Sequence, residues 1–217
     1  HDLNQKLWLT PRETDSVTQS LIKLSGNIPI VLGGFSSGGN VAFLLAEDLA
    51  NAGQPPAGVF AIDSPLDLHA LHQSARNSVN RLGEQATDES KWLLWYLESE
   101  LGDPKTDLST YESLGVYTAQ TGNLTAFSGL KETSIWFYTE PDSLWWMKNR
   151  SVPFNETNAF VLTELDKQLR DEGFRSELMV TTDKGYRPNG DRHPHSYSIV
   201  DVQEWLKRVK TAVEKHR

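Results

Sequence analysis

The sequence contains no cysteine. That absence excludes disulfides, thiolate metal sites and a cysteine nucleophile together, and it fits a cytoplasmic setting. No apolar run approaches the roughly 20 residues that a membrane-spanning helix needs, so no membrane partner is expected. Positive charge is scarce: 21 Lys and Arg stand against 29 Asp and Glu, for a net charge of −8, and the pI is about 5.2. The basic residues are scattered until Lys207, Arg208 and Lys210, which argues against a phosphate-binding face and excludes nucleic acid as an expected partner. Neither G-x-x-x-x-G-K nor G-x-G-x-x-G occurs, so no nucleotide cradle is expected. An initiator Met, a signal-peptide apolar core in residues 1–26 and any internal repeat are missing as well. Asn123-Leu-Thr125, Asn149-Arg-Ser151 and Asn155-Glu-Thr157 would suit glycosylation in a secreted protein, but so short a pattern recurs by chance.

What is present is an ordinary globular composition, 38% hydrophobic and 23% charged over 217 residues, the length of a single domain with one core. The spacing of Val17, Leu21, Ile22 and Leu24 predicts a helix over 14–24, with Thr14, Asp15 or Ser16 as N-cap and Gly26 past the end. Ile28-Pro-Ile-Val-Leu-Gly33 reads as a parallel strand buried on both faces, with Pro29 among its first residues. A helix through Val41, Ala42, Leu44, Leu45 and Leu49 follows, then a Pro-Pro turn and a strand over 58–63. Residues 66–114 break this rhythm. They are polar and helical, with an aromatic-rich stretch from Trp92 to Leu97, and read either as a lid-like insertion or as extra helix packed on the body by its aromatic face. Strands over 134–139 and 177–181 and helices over 157–172 and 198–215 complete an alternating pattern, and the class is α/β.

Gly34-Phe-Ser-Ser-Gly38 matches G-x-S-x-G directly after a buried strand and directly before a helix, the context of the nucleophile elbow of the α/β-hydrolase fold. Ser36 is the expected nucleophile, and Gly34, Gly38 and Gly39 are expected to keep Cβ atoms out of a strained corner. The helix that starts there aims free N–H groups at the same spot, which makes the backbone amide of Ser37 an oxyanion donor.

A serine needs a base, and the chain has six histidines. His1 and His216 fall near the ends, and His69 and His72 fall in the lid-like region. His193 and His195 lie in the polar loop Asn189-Gly-Asp-Arg-His-Pro-His-Ser196 between the last strand and the last helix. His195 is favoured, because Ile199, Val202, Leu206 and Val209 continue one helical face from it while Pro194 separates His193 from that helix. The third member of a triad is a carboxylate that fixes the imidazole tautomer. Two candidates stay open on the residues alone: Asp63, ending the second strand, and Asp142, following the third.

The stretch from Pro29 through Ala42-Phe43, continued by Leu49-Ala-Asn-Ala-Gly-Gln-Pro-Pro and on to Ile62-Asp-Ser-Pro65, resembles the chain-releasing thioesterase domains of polyketide and nonribosomal-peptide synthases. Leu114-Gly-Val-Tyr117 and Glu140-Pro141 are similar to further family motifs. The resemblance implies Asp63 as the acid, His195 as the base, and a Ser-linked acyl-enzyme. It implies an acyl carrier protein as partner, with phosphopantetheine on that partner and no cofactor or metal of the chain's own. Release would follow by hydrolysis or cyclisation. The family also has several strands before the first helix, so the domain, 1–217 with a lid-like insertion at 66–114, is expected to be N-terminally incomplete and its second oxyanion donor to lie outside the chain. Phe35–Asn40 equally resembles the motif of hormone-sensitive-lipase-type carboxylesterases, which would make Asp142 the acid. A hydrolase fold kept as a non-catalytic binding module is the remaining alternative.

Overall fold

In the computed structural model, which describes residues 6–216, helices and strands alternate as the sequence predicts. Helix α1 (Pro11–Ser25) leads into β1 (Val31–Phe35), α2 (Ser37–Asn51) and β2 (Gly58–Ile62). Three helices follow, α3 (Leu68–Leu82), α4 (Asp88–Leu101) and α5 (Pro104–Leu114). After them come β3 (Ser134–Thr139), α6 (Ser143–Arg150), α7 (Asn158–Asp171), β4 (Ser176–Val180) and α8 (Val202–His216).

The four strands pair in parallel in the order β1-β2-β3-β4. Alternation along each strand sorts the side chains by face. Val59, Ala61, Ile135 and Phe137 face α2 and α7, where Phe43, Ala46, Leu162, Leu165 and Leu169 complete the main core. Phe60, Ile62, Trp136 and Tyr138 face α8 through Trp205, Val209 and Ala212. Helix α1 packs beside α2 through Leu9, Val17, Leu32, Val41 and Leu45. The molecule is thus three layers, helix on sheet on helix.

Several local expectations are corrected. The cap of α1 is Thr10, one turn earlier than expected, because Thr10 and Glu13 form a reciprocal capping box and Pro11 sits at the first helical position, where its missing N–H costs nothing. Strand β1 starts at Val31, beyond Pro29, and is only half-buried, since among the described residues it lies at one side of the sheet with a single strand partner. Leu7 and Trp8, ahead of α1, are buried against Leu68, Leu97, Leu101 and Tyr111 in a second cluster under α3 to α5. The aromatic stretch packs by stacking there: Tyr96 lies 5.4 Å from Trp8 and Trp92 lies 4.9 Å from Tyr96, while Trp95 stays 64% exposed. Among the described residues no helix is long and apolar enough to cross a membrane.

Candidate active site

Parallel pairing brings the functional candidates to one edge. Phe35 is level with Ile62, and Ile62 with Tyr138, so Ser36, Asp63 and Thr139 are the residues next in line at the C-terminal ends of three adjacent strands. The ladder continues one step beyond the strands, with Ser36 N–H donating to Ile62 O at 3.0 Å and Asp63 N–H to Tyr138 O at 2.8 Å. Both residues have left-handed backbones, φ 54° at Ser36 and 43° at Asp63. Each such conformation costs about 1–3 kcal/mol in a non-glycine residue and persists only where its surroundings enforce it. Here the ladder bonds and the close approach of α2 enforce it. A Cβ at Gly34 would sit 2.2 Å from the backbone of Gly38, and one at Gly39 would sit 2.0 Å from Ser64 Oγ. Gly38 has open space around it, so only two of the three expected glycines are needed for clearance.

The structure brings Ser36, His195 and Asp63 into one line. His195 Nε2 is 3.1 Å from Ser36 Oγ and Nδ1 is 2.7 Å from Asp63 Oδ2. With a proton assigned to Nδ1, the imidazole donates to Asp63 and accepts from the serine hydroxyl, the arrangement a general base requires. The ring lies against Phe35, with centroids 4.6 Å apart. Asp63 is buried, and Thr139 Oγ1 donates to its Oδ1 at 2.9 Å while Asn158 Nδ2 donates to its backbone carbonyl at 2.8 Å. Ser37 is the first residue of α2, so its amide has no acceptor within the helix.

The other candidates lie elsewhere. Asp142 caps α6 by accepting from Trp145 N–H at 2.9 Å, and its other oxygen accepts from Arg192 at 2.7 Å. His193 is buried against Trp145 and Trp146, at ring distances of 4.6 and 5.8 Å, and its Nδ1 donates to the His195 carbonyl at 3.1 Å. Burial first, then the nearby charges of Arg187, His195 and Arg150, push its pKa down to about 4, so it is neutral at pH 7. His72 is buried between α3 and α4 with Nε2 donating to Glu98 at 3.1 Å, and burial lowers its pKa. His69 touches Gln73, His216 is exposed near the end of α8, and His1 lies outside the described residues.

The helical register that favoured His195 is not what delivers it. Helix α8 begins only at Val202, after a 3₁₀ turn at Tyr197–Ile199, and Val202 and Leu206 are 59% and 41% exposed. Its buried face is Trp205, Val209 and Ala212. Sequence reasoning also passed over Thr139, Asn158 and Phe35 as neighbours of the triad. Thr139 was accessible in principle, because it ends a predicted strand next to the one ended by Asp63. Among the described residues no three His, Cys, Asp or Glu side chains gather as a metal site. A cavity of about 390 Å³ between Ser25–Ile30 and Gly53–Pro55 lies at the N-terminal ends of β1 and β2, the opposite end of the sheet from Ser36.

The family model described as Thioesterase domain matches residues 14–137, more than half of the 217 residues. No curated protein matches the sequence. Among solved structures, carboxyl esterase 2 from the mycorrhizal fungus Tuber melanosporum is 14% identical, with a TM-score of 0.50 over 94% of this chain and 60% of that one. A mutant esterase is similar at 18% identity and a TM-score of 0.49, over 95% of this chain and 60% of its own. An esterase from the bacterial hormone-sensitive lipase family is similar at 16% and 0.46, over 95% and 60%. At such identities the likeness is one of fold, and the fold is that of the α/β-hydrolases. The chain spans about 60% of the length of these structures.

Proposed function

The chain belongs to the thioesterase domain family, and from that premise we propose that it releases an acyl chain, polyketide or peptide, from an acyl carrier protein through an ester on Ser36. The observation that supports this reading most is the hydrogen-bonded line from Ser36 through His195 to Asp63. Ser36 Oγ attacks the thioester carbonyl while His195 Nε2 takes its proton. The carbonyl electron pair moves onto oxygen, and the Ser37 amide stabilises the oxyanion; one such donor is worth about 100- to 1000-fold in rate. Collapse breaks the C–S bond, and His195 returns the proton to the departing sulfur. Asp63 holds the imidazole in the required tautomer and stabilises its positive charge in both steps. Water, or a hydroxyl or amine of the bound chain, then attacks the ester with His195 again as base, and Ser36 is regenerated.

The test is to incubate the full-length protein with a fluorophosphonate and, separately, with an acyl thioester of phosphopantetheine and a p-nitrophenyl ester of the same acyl group. Labelling of Ser36, an acyl adduct on the same peptide and a higher kcat/KM for the thioester are expected. Preference for the p-nitrophenyl ester would turn the reading to a carboxylesterase. A folded protein that labels nowhere would turn it to a binding module.

A further inference from the structure

The loop that carries His195 is anchored by packing only in its later part: between residues 181 and 192 only Gly185 is buried, and burial resumes at His193 and Pro194. A stretch without a core is held by polar contacts or not at all, and in residues 181–192 those contacts converge on Glu140, the residue after β3. Its side chain is 1% exposed. One oxygen pairs with Arg192 at 2.5 Å. The other accepts from Thr181 Oγ1 at 2.9 Å, from Lys184 N–H at 2.8 Å and from Gly185 N–H at 3.2 Å. Arg192 in turn donates to Gly185 O at 2.9 Å and to Asp142 Oδ2 at 2.7 Å, and His193 N–H donates to Gly185 O at 2.9 Å. One buried carboxylate therefore ties both limbs of the loop, residues 181–185 and residue 192, to the end of β3. His195 stands three residues beyond the tied arginine. A Cβ at Gly185 would come within 2.5 Å of His193 O, so the two limbs are also in direct contact.

We propose that Glu140 and Arg192 are positioning residues for His195: their ion pair closes the loop so that the imidazole is presented to Ser36 and Asp63. The proposal rests on the reading of Ser36, His195 and Asp63 as the reacting set. A buried charge pair that only stabilises the fold is often replaceable by apolar residues at no cost. A pair that sets the position of a base is not, because a shift of about 1 Å costs on the order of 100-fold in rate.

Glu140→Gln keeps the shape of the side chain but removes the charge and one acceptor, and Arg192→Lys keeps the charge but loses the fork. In the full-length protein, each is expected to slow phosphonylation of Ser36 and kcat about ten- to a hundredfold, with KM within about twofold. The control is Arg208→Met, which breaks the Arg208–Glu177 pair of α8 and β4; Arg208 is 22% exposed beside 21% for Arg192. It is expected to change neither rate nor KM. In ¹⁵N-histidine-labelled protein, the proton between His195 Nδ1 and Asp63 gives a downfield signal that should broaden or vanish in Glu140→Gln while other histidine signals persist. Wild-type labelling rates and an intact His195 signal in folded Glu140→Gln would overturn the proposal. If that variant does not fold, the same result in Arg192→Lys would overturn it. A wild-type protein that never labels Ser36 would sink the catalytic reading instead, and the imidazole signal would still decide whether the ion pair positions the ring.

Discussion

Residues 31–64 and residues 181–198 both deliver a side chain to the C-terminal edge of the sheet, and they are held there differently. The first region is fixed by packing and by the strand ladder: Ser36 and Asp63 have strained backbones, but each lies one residue beyond a strand whose side chains fill the cores on both faces. The second region is a long loop whose first part, residues 181–192, buries little and is tied down by an ion pair and a few amides, while His193 beyond it packs on Trp145 and Trp146. Rigid packing therefore surrounds Ser36 and Asp63, while the loop that bears His195 is tied at its start by the Glu140–Arg192 pair. The lesson is that the placement of the two halves of one site answers to different perturbations, volume in the first and charge in the second, whatever charge each half needs for its chemistry.

The largest effect should come from removing the charge in the packed half. Asp63→Asn is expected to lower kcat by about 10⁴-fold, the size measured for the equivalent change in a serine protease, while Asp142→Asn lowers it less than about tenfold because Asn still caps α6. Steady-state turnover of a small acyl thioester, with melting curves to show that both variants are folded, makes the measurement. A crippling Asp142→Asn beside a silent Asp63→Asn would reverse the assignment of the acid.

A change of volume should be felt only in the packed half. Gly34→Ala puts a methyl 2.2 Å from the Gly38 backbone, so the elbow must open, and a loss of about 1–3 kcal/mol in stability is expected, with Ser36 displaced from its base. Gly190→Ala, at a loop tip with φ 87° and nothing within 4 Å, is strained but unclashed and should leave the labelling rate of Ser36 within about twofold, far from the 100-fold that a displaced base would cost. Denaturant unfolding and fluorophosphonate labelling measure the two. Equal losses of labelling in both would erase the distinction.

A change of proton charge should be felt mainly in the polar half. His193 has an ordinary pKa of 6.5 that burial lowers to about 4. Between those values the unfolded chain binds a proton that the folded loop does not, so stability contributed by this residue is full above about pH 6.5 and declines as pH falls toward 4. The contribution is about 3 kcal/mol. His193→Gln should flatten the unfolding free energy between pH 7 and 5 relative to wild type. A variant whose curve runs parallel to wild type would show that His193 does not respond as its burial implies.

The smallest effect tests the link between the halves. Thr139→Val removes the hydroxyl that donates to Asp63 Oδ1, and a hydrogen bond to a charged group is worth about 1.5–3 kcal/mol. Because Asp63 keeps its bond to His195, a drop of about tenfold in kcat is expected with KM unchanged. A drop as large as that of Asp63→Asn would mean that the hydroxyl, and not the strand end, fixes the carboxylate.

The same division explains what was legible in the sequence. The elbow is a local pattern: Gly34 to Gly38 stand beside the strand and helix that constrain them, and β3 was read to the residue because its apolar run is bounded at both ends. The contacts of Glu140 with Arg192, of Thr139 with Asp63 and of Asn158 with the Asp63 carbonyl join residues 52 to 95 positions apart or involve no motif, and nothing in local periodicity points to them. Helix α6 was missed for a related reason. Its eight residues carry two tryptophans whose partner is His193, so no repeating apolar stripe marks it. The structure places His195 beside Ser36 and Asp63, but the helical register that favoured it is not one that α8 keeps.

Ser36 and Asp63 are separated by a single helix and strand, but Ser36 and His195 lie 159 residues apart along the chain. Contacts of that span form late, because the chain must close a long loop before they reward it. A polypeptide growing from its N-terminal end can build the elbow and the acid's strand well before residue 195 has been synthesised. Until the last strand and its loop arrive, the serine sits at its corner without its imidazole partner. On the proposed function, reactivity would thereby be timed to the completion of folding, because the proposed base is the last member of the set to arrive.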